Sequence, residues 1–179
     1  MHGSKVLTQS QIKALNELTG LIGKNNTGGR TLCCLVGSQG KGKTWLVKYI
    51  LSQSDFGDSK YVSVNELILK IIEDDSMYHD IFNFNPNTIH QDMKRYGSRL
   101  RKDIYDVVTE RLLLQGLTIL DHMELMFTLG LDPITTWYNQ AVGQKRVLLV
   151  LTGRMSGQSC RCGQQTLTRG DQPIVELGG

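Results

Sequence analysis

Residues 37–44 read Gly-Ser-Gln-Gly-Lys-Gly-Lys-Thr, directly behind the apolar run Thr31-Leu-Cys-Cys-Leu-Val36 and directly before the helix-like stretch Trp45 to Leu51. This is the pattern G-x-x-x-x-G-K-[ST] between a strand and a helix, a phosphate-binding loop (P-loop). Glycines let the backbone wrap an anion, a Lys reaches the β and γ oxygens, and a hydroxyl holds Mg²⁺. The run before it is apolar without alternation, so the strand must be covered on both faces. A chain built around it therefore has a parallel sheet between two helical layers.

The remaining pattern fits that frame. Ile12, Leu15, Leu18 and Ile22 recur at helical spacing, ahead of a polar turn from Lys24 to Arg30. Lys60 to Val64 is a second strand, and Asn65 is placed to cap a helix carrying Leu67, Ile68, Ile71 and Ile72. Asp74 to Pro86 reads as a connection, and steps of three and four predict a long helix from Thr88 to Leu114, weakened at Gly97. Leu117 to Asp121 is a third strand, and Asp132-Pro133 starts a helix expected to run through Ala141. Val147 to Leu151 and Pro173 to Leu177 are the fourth and fifth strands. The expectation is one α/β domain over residues 1–179: a helix and linker over 1–29, then a three-layer core with about five parallel strands, helices on both faces and no C-terminal helical lid.

Candidate chemistry gathers at the strand ends. The binding set is Gly37, Ser38, Gln39, Gly40, Lys41, Gly42, Lys43 and Thr44 with the adjoining Trp45, whose backbone N–H groups and helix N-terminus present positive charge to a phosphate. Lys43 neutralises the β and γ oxygens. Thr44 and Asp121, which ends an apolar strand, are the Mg²⁺ ligands. Glu124 is the candidate to orient or deprotonate an attacking water, and Thr152 is placed to bond the γ-phosphate or that water. Arg154, Arg161 and Arg169 fall in a Gly-, Gln- and Ser-rich stretch expected to be mobile, each a candidate arginine finger for a neighbour's site, with Arg169 best placed. Trp45, Trp137 and Tyr138 sit at packing positions on helices and read as core or interface.

Bulk properties bound the alternatives. A chain of 179 residues buries a core without disulfides or metal. Four Cys as two close pairs, Cys33/Cys34 and Cys160/Cys162, read as reduced thiols, since Cys-x-Cys is the wrong spacing for zinc. No apolar run approaches the ~18 residues of a membrane span and no signal-peptide zones open the sequence, so the expected location is cytoplasmic. A net charge of +3 permits nucleic-acid contact without arguing for it. Lys94, Arg95, Arg99, Arg101 and Lys102 cluster on the first half of the long helix, as a DNA groove or as a solvated face with Lys102 paired to Asp106.

On Gly37 to Thr44, Leu117 to Asp121 with Glu124, and Val147 to Thr152, the chain resembles the P-loop NTPases, within them the additional-strand group that includes AAA+-like ATPases. The resemblance implies that the fourth strand lies between the P-loop strand and the Asp121 strand. More narrowly, Leu120-Asp-His-Met-Glu-Leu125 and Leu131-Asp-Pro133 look like the small P-loop ATPase of bacteriophage exclusion (BREX) defence systems, which implies larger partner proteins and action on phage DNA. His122 stands where many relatives carry the catalytic Glu.

The expected function is thus Mg²⁺-dependent ATP binding with weak or partner-dependent hydrolysis, working as a switch for assembly as a homo-oligomer or with partners. The absence of an Asn-Lys-x-Asp guanine motif favours ATP. The alternatives are a nucleotide-gated scaffold that never turns over, and a small-molecule kinase.

Overall fold

All seven residues of β1 (Thr31–Gly37) are buried, and the molecule is layered around them. A computed structural model describes residues 6–23, 31–74, 89–112, 116–128, 131–138, 141, 145–162, 165–168 and 172–178. The other strands are β2 (Ser59–Ser63), β3 (Gly116–Asp121), β4 (Lys145–Thr152), β5 (Arg154–Ser156), β6 (Ser159–Cys162), β7 (Gln165–Thr168) and β8 (Ile174–Glu176). The helices are α1 (Gln9–Ile22), α2 (Lys43–Leu51), α3 (Val64–Asp74), α4 (Ile89–Leu112), α5 (Glu124–Thr128) and α6 (Pro133–Trp137).

Five strands form one sheet in the order β2-β3-β4-β1-β8, every pairing parallel. β4 lies between β1 and β3, as expected. Alternation along β1 divides the core. Cys33 and Leu35 meet Ala14, Leu18 and Ile22 of α1 and Leu46, Val47 and Ile50 of α2. Leu32, Cys34 and Val36 face the cluster made with α3, α4, α5 and α6, where Trp137 is fully buried. The architecture is α/β, a three-layer core with helices on both faces. Burying such side chains stabilises the fold by about 25 cal/mol for each Å² of apolar surface removed from water, which is what holds the layers together.

Several expectations change. On α1 the buried face is Gln11, Ala14, Leu18 and Ile22, whereas Ile12 is 44% exposed. The helix is turned so that a polar residue, Gln11, faces inward at the loop end. Asn65 lies inside the first turn of α3 and caps a different helix, because its Oδ1 accepts from Leu125 N–H of α5 at 3.0 Å. The helix begun by Asp132 ends at Trp137. α4 carries an i,i+4 ion pair between Arg99 and Asp103 at 3.8 Å. The Lys24 to Arg30 turn, the connection over 75–86 and the side chains of Lys94 and Arg95 lie outside the described residues.

The stretch expected to be mobile is instead a second, antiparallel sheet, β5-β6-β7. Its strands alternate: Cys160 and Cys162 are buried against the main core while Arg154, Ser156, Arg161, Thr166 and Thr168 are exposed. The period of two puts one face on the core and one in solvent.

At the opposite end of the sheet from the loop, Arg146 is 6% exposed and its guanidinium donates to Ile22 O and Phe56 O, each at 2.8 Å. One cation thus closes the last turn of α1, where free carbonyls concentrate negative charge, and the turn over Ser54–Phe56. Burial lowers its pKa. Among the described residues, no helix is long and apolar enough to cross a membrane.

Candidate functional site

The loop joining β1 to α2 stands at the carboxyl ends of the parallel strands, where open α/β sheets place their ligands. Gly40 and Gly42 have φ of 79° and 85°, left-handed values that a Cβ disfavours, so the turn itself requires glycine at the pattern's second glycine, Gly42, and at Gly40 between the pattern's fixed positions. No atom lies within 4 Å of a Cβ built at Gly40. At Gly42 such a Cβ would lie 2.4 Å from Gln11 Nε2. Gln11 belongs to a capping box, its N–H donating to Thr8 Oγ1 at 3.3 Å and its Oε1 accepting from Thr8 N–H at 2.9 Å. Its Nε2 also donates to Gly42 O at 3.3 Å, so the start of α1 buttresses the loop from behind.

Lys43 Nζ folds back to donate to Gly37 O at 2.6 Å and Ser38 O at 3.1 Å. The ammonium therefore sits inside the cradle its own loop makes. Partial burial lowers its pKa, against the opposing pull of Asp121 and Glu124. Thr44 is exposed on the first turn of α2, and Trp45 is half-buried with its indole Nε1 buried and unbonded. Lys41 is exposed, its stem lying over Gly178, where an added Cβ would come 3.0 Å from Lys41 Cδ.

Asp121 is 5% exposed. Its Oδ1 accepts from His122 N–H at 2.8 Å; its Oδ2 is 3.4 Å from Tyr61 OH, which donates, and 3.8 Å from His122 Nε2. Tyr61 reaches it because β2 is the neighbour of β3. Burial, then the Asp121 charge, pushes the phenol up to about 12. His122 has φ 54°, the one positive value among the described residues other than glycine. The backbone kinks there, and Glu124 opens α5 two residues on.

Glu124 Oε2 accepts from Asn65 Nδ2 at 2.9 Å. Thr152 pairs with Gly37 across the β1/β4 ladder, which sets it beside the loop. Glu124 and Thr152 line one cavity of about 410 Å³ with Met123, Phe127, Thr128, Val150 and Leu151. Loop residues do not line it; the cavity adjoins the cradle on its Thr152 side.

The fold thus brings Gly37 to Thr44 and Thr152 to one edge and puts Glu124 in the adjoining cavity. Asp121 bonds to Tyr61 and His122 and not to Thr44 among the described residues. Arg169 lies outside them. Arg154, read as a finger for a neighbour, instead donates through Nε to Ser38 Oγ of its own loop at 3.2 Å. Gln11, Tyr61 and Asn65 were not foreseen as site residues; Thr8-x-x-Gln11 carried a readable signal, the capping-box spacing.

The arrangement fits a bound phosphate chain. Open space at Gly40, positive φ at two glycines and an ammonium resting on carbonyls it can leave are what such a cradle needs. Among the described residues no three His, Cys, Asp or Glu side chains converge as a metal-binding group. A hydroxyl and a carboxylate, Thr44 and Asp121, are the hard oxygen donors that Mg²⁺ takes when waters and phosphates complete its shell. No protein-family model matches the chain, and no curated protein matches it.

Proposed function

We propose that the chain is a P-loop NTPase of the additional-strand group: an Mg²⁺-dependent ATP-binding protein with weak or partner-dependent ATPase activity, working as an assembly switch. The observation that carries this reading is the loop from Gly37 to Thr44 at the end of a fully buried β1, with Lys43 in the cradle and Thr152 alongside Gly37. The loop N–H groups and Lys43 hold the phosphate chain; Thr44 and Asp121 hold Mg²⁺, which supplies charge neutralisation on the phosphates. Glu124 orients a water or takes its proton, and Asn65 fixes the carboxylate for that task. The buried Asp121 is held still by Tyr61 and His122.

The resemblance to the BREX ATPase extends the proposal to larger partner proteins and DNA. Among the described residues of α4, Arg99, Arg101 and Lys102 are exposed basic residues proposed for that contact, Arg99 carrying its ion pair with Asp103. Titration of the protein with Mg·ATP, alongside Lys43→Ala, tests the core of the reading. Binding in the micromolar range that falls by about a hundredfold in the variant, near 3 kcal/mol, is expected. Equal binding by the two proteins sinks it.

The reading as a scaffold that binds without turnover has its own observation: His122, at a kinked backbone, turns its imidazole to Asp121 where a carboxylate is usual. Phosphate release that Glu124→Gln abolishes excludes it.

A further inference from the structure

The chain leaves β4 at Thr152, beside Gly37, and Gly153 N–H donates to Gly37 O at 3.3 Å before β5 begins. There is no room for a side chain at this step. A Cβ on Gly153 would lie 2.4 Å from Arg161 O and 2.8 Å from Cys162 Sγ. The small sheet is therefore pressed against the end of β4, and its first residue, Arg154, is delivered to the phosphate-binding loop, where Nε donates to Ser38 Oγ at 3.2 Å.

Arg154 has a second relationship. In the antiparallel register it stands directly opposite Arg161. Both are exposed on the outer face, and cross-strand partners share a face. Like charges placed this way repel, and among the described residues neither guanidinium has a carboxylate partner. Arg154 spends only Nε on a neutral hydroxyl, leaving the rest of its fork uncommitted. Two uncompensated guanidiniums at the rim of a phosphate loop make an anion site, because planar forks bind phosphate oxygens bidentately.

We propose that Arg154 reads the terminal phosphate of a nucleotide held by its own loop, with Arg161 as the second charge of that site, so that this recognition is made in cis. The inference rests on the P-loop reading above. It assigns the small sheet a role: the sheet carries the phosphate-reading arginine, and Gly153 sets its distance from the loop. The Ser38 hydroxyl holds the guanidinium until a terminal phosphate takes its place. A triphosphate is thereby distinguished from a diphosphate within a single chain.

The test compares Mg·ADP with Mg²⁺ and the β,γ-imido analogue of ATP, titrated into the full chain and into Arg154→Ala, Arg154→Lys and Arg161→Ala. The wild type is expected to prefer the triphosphate analogue by about tenfold. Arg154→Ala brings the ratio close to one, chiefly by weakening the analogue; Arg161→Ala lowers it less, and Arg154→Lys recovers part of it. Equal mixing of Arg154→Ala with Lys43→Ala restores no hydrolysis, since neither chain has both groups. Arg154→Ala keeping the wild-type ratio, or activity recovered on mixing, overturns the proposal. A wild type that binds both nucleotides equally overturns it while leaving the P-loop reading intact. A wild type that binds neither removes the P-loop reading and this proposal with it.

Discussion

Asn65, on the first turn of α3, holds Glu124 from across the β2/β3 edge: its Nδ2 donates to Glu124 Oε2 at 2.9 Å while its Oδ1 accepts Leu125 N–H at 3.0 Å. One amide thereby caps the short α5 and fixes the carboxylate at its start. Asn65→Ala removes both bonds. The expected result is a stability loss of about 1–2 kcal/mol, since a capping bond and a charged bond go together. On the proposed function, ATP hydrolysis is expected to fall about tenfold with nucleotide affinity unchanged, because Asn65 would position the proposed base and not the phosphates. Urea denaturation and steady-state phosphate release, measured on one preparation, check both parts.

Gln11 and Gly42 form a second long-range pair. Gly42→Ala meets two obstacles, a left-handed φ that costs about 1–2 kcal/mol and a contact of 2.4 Å with Gln11 Nε2. Gln11→Ala alone costs about 1 kcal/mol by opening the capping box and releasing Gly42 O. The double variant is expected to be more stable than the sum of the two singles, since the second change removes the clash created by the first. A double-mutant cycle on thermal midpoints decides it, and strict additivity rejects the contact.

Arg146→Ala leaves the carbonyls of Ile22 and Phe56 buried and unbonded. A loss of about 3 kcal/mol follows, at roughly 1–3 kcal/mol per orphaned group. Arg146→Lys should recover part, because one ammonium lacks the fork that reaches both acceptors. On the proposed function, nucleotide affinity of the folded fraction is expected to stay at the wild-type value, as Arg146 lies at the far end of β4. Denaturation midpoints alongside nucleotide titration separate the two effects.

The buried thiols give the fold an alkaline limit. Burial pushes Cys33 up from the ordinary 9.0 to about 12 and raises Cys34 well above the ordinary 9.0, and burial raises Cys160 and Cys162 as well. Above about pH 9 the unfolded chain releases thiol protons that the folded chain keeps. The unfolded state then binds fewer protons, so stability falls as pH rises, by up to about 1.4 kcal/mol per pH unit for each such thiol. Below about pH 9 these groups contribute no slope. Urea midpoints between about pH 7.5 and 10.5 are expected to stay flat and then decline, with a shallower decline in Cys33→Ala.

Much of this molecule was legible from local pattern. The loop from Gly37 to Thr44, the unbroken apolar run of β1 and the acid at the end of β3 each declare themselves within a few residues, because glycine, apolar and strand-end signals act over short range. What escaped depends on residues far apart in sequence. Asn65 reads as a cap for the helix that follows it, and only the β2/β3 pairing shows that it serves α5. Arg146 reads as the polar flank of an apolar strand until α1 and the Phe56 turn close over it. The small sheet reads in sequence as a mobile stretch because its strands are three or four residues long and its inner face is built from Cys160 and Cys162, set among Gly, Gln and Ser. Arg154 escapes for the same reason: only the strand β5 brings it to Ser38.

β1 takes its two neighbours from β4 and β8, with Cys34 registered against Ile174 and Leu177 N–H donating to Val36 O at 2.7 Å. During synthesis the phosphate loop leaves the ribosome well ahead of β8, so the strand that carries it keeps an unpaired edge until the residues of β8 have also emerged. A nascent chain therefore passes through a long interval in which the loop from Gly37 to Thr44 exists as sequence and not as a folded cradle. Premature termination before β8 should yield exposed apolar edge, a route to aggregation, and not a smaller folded domain.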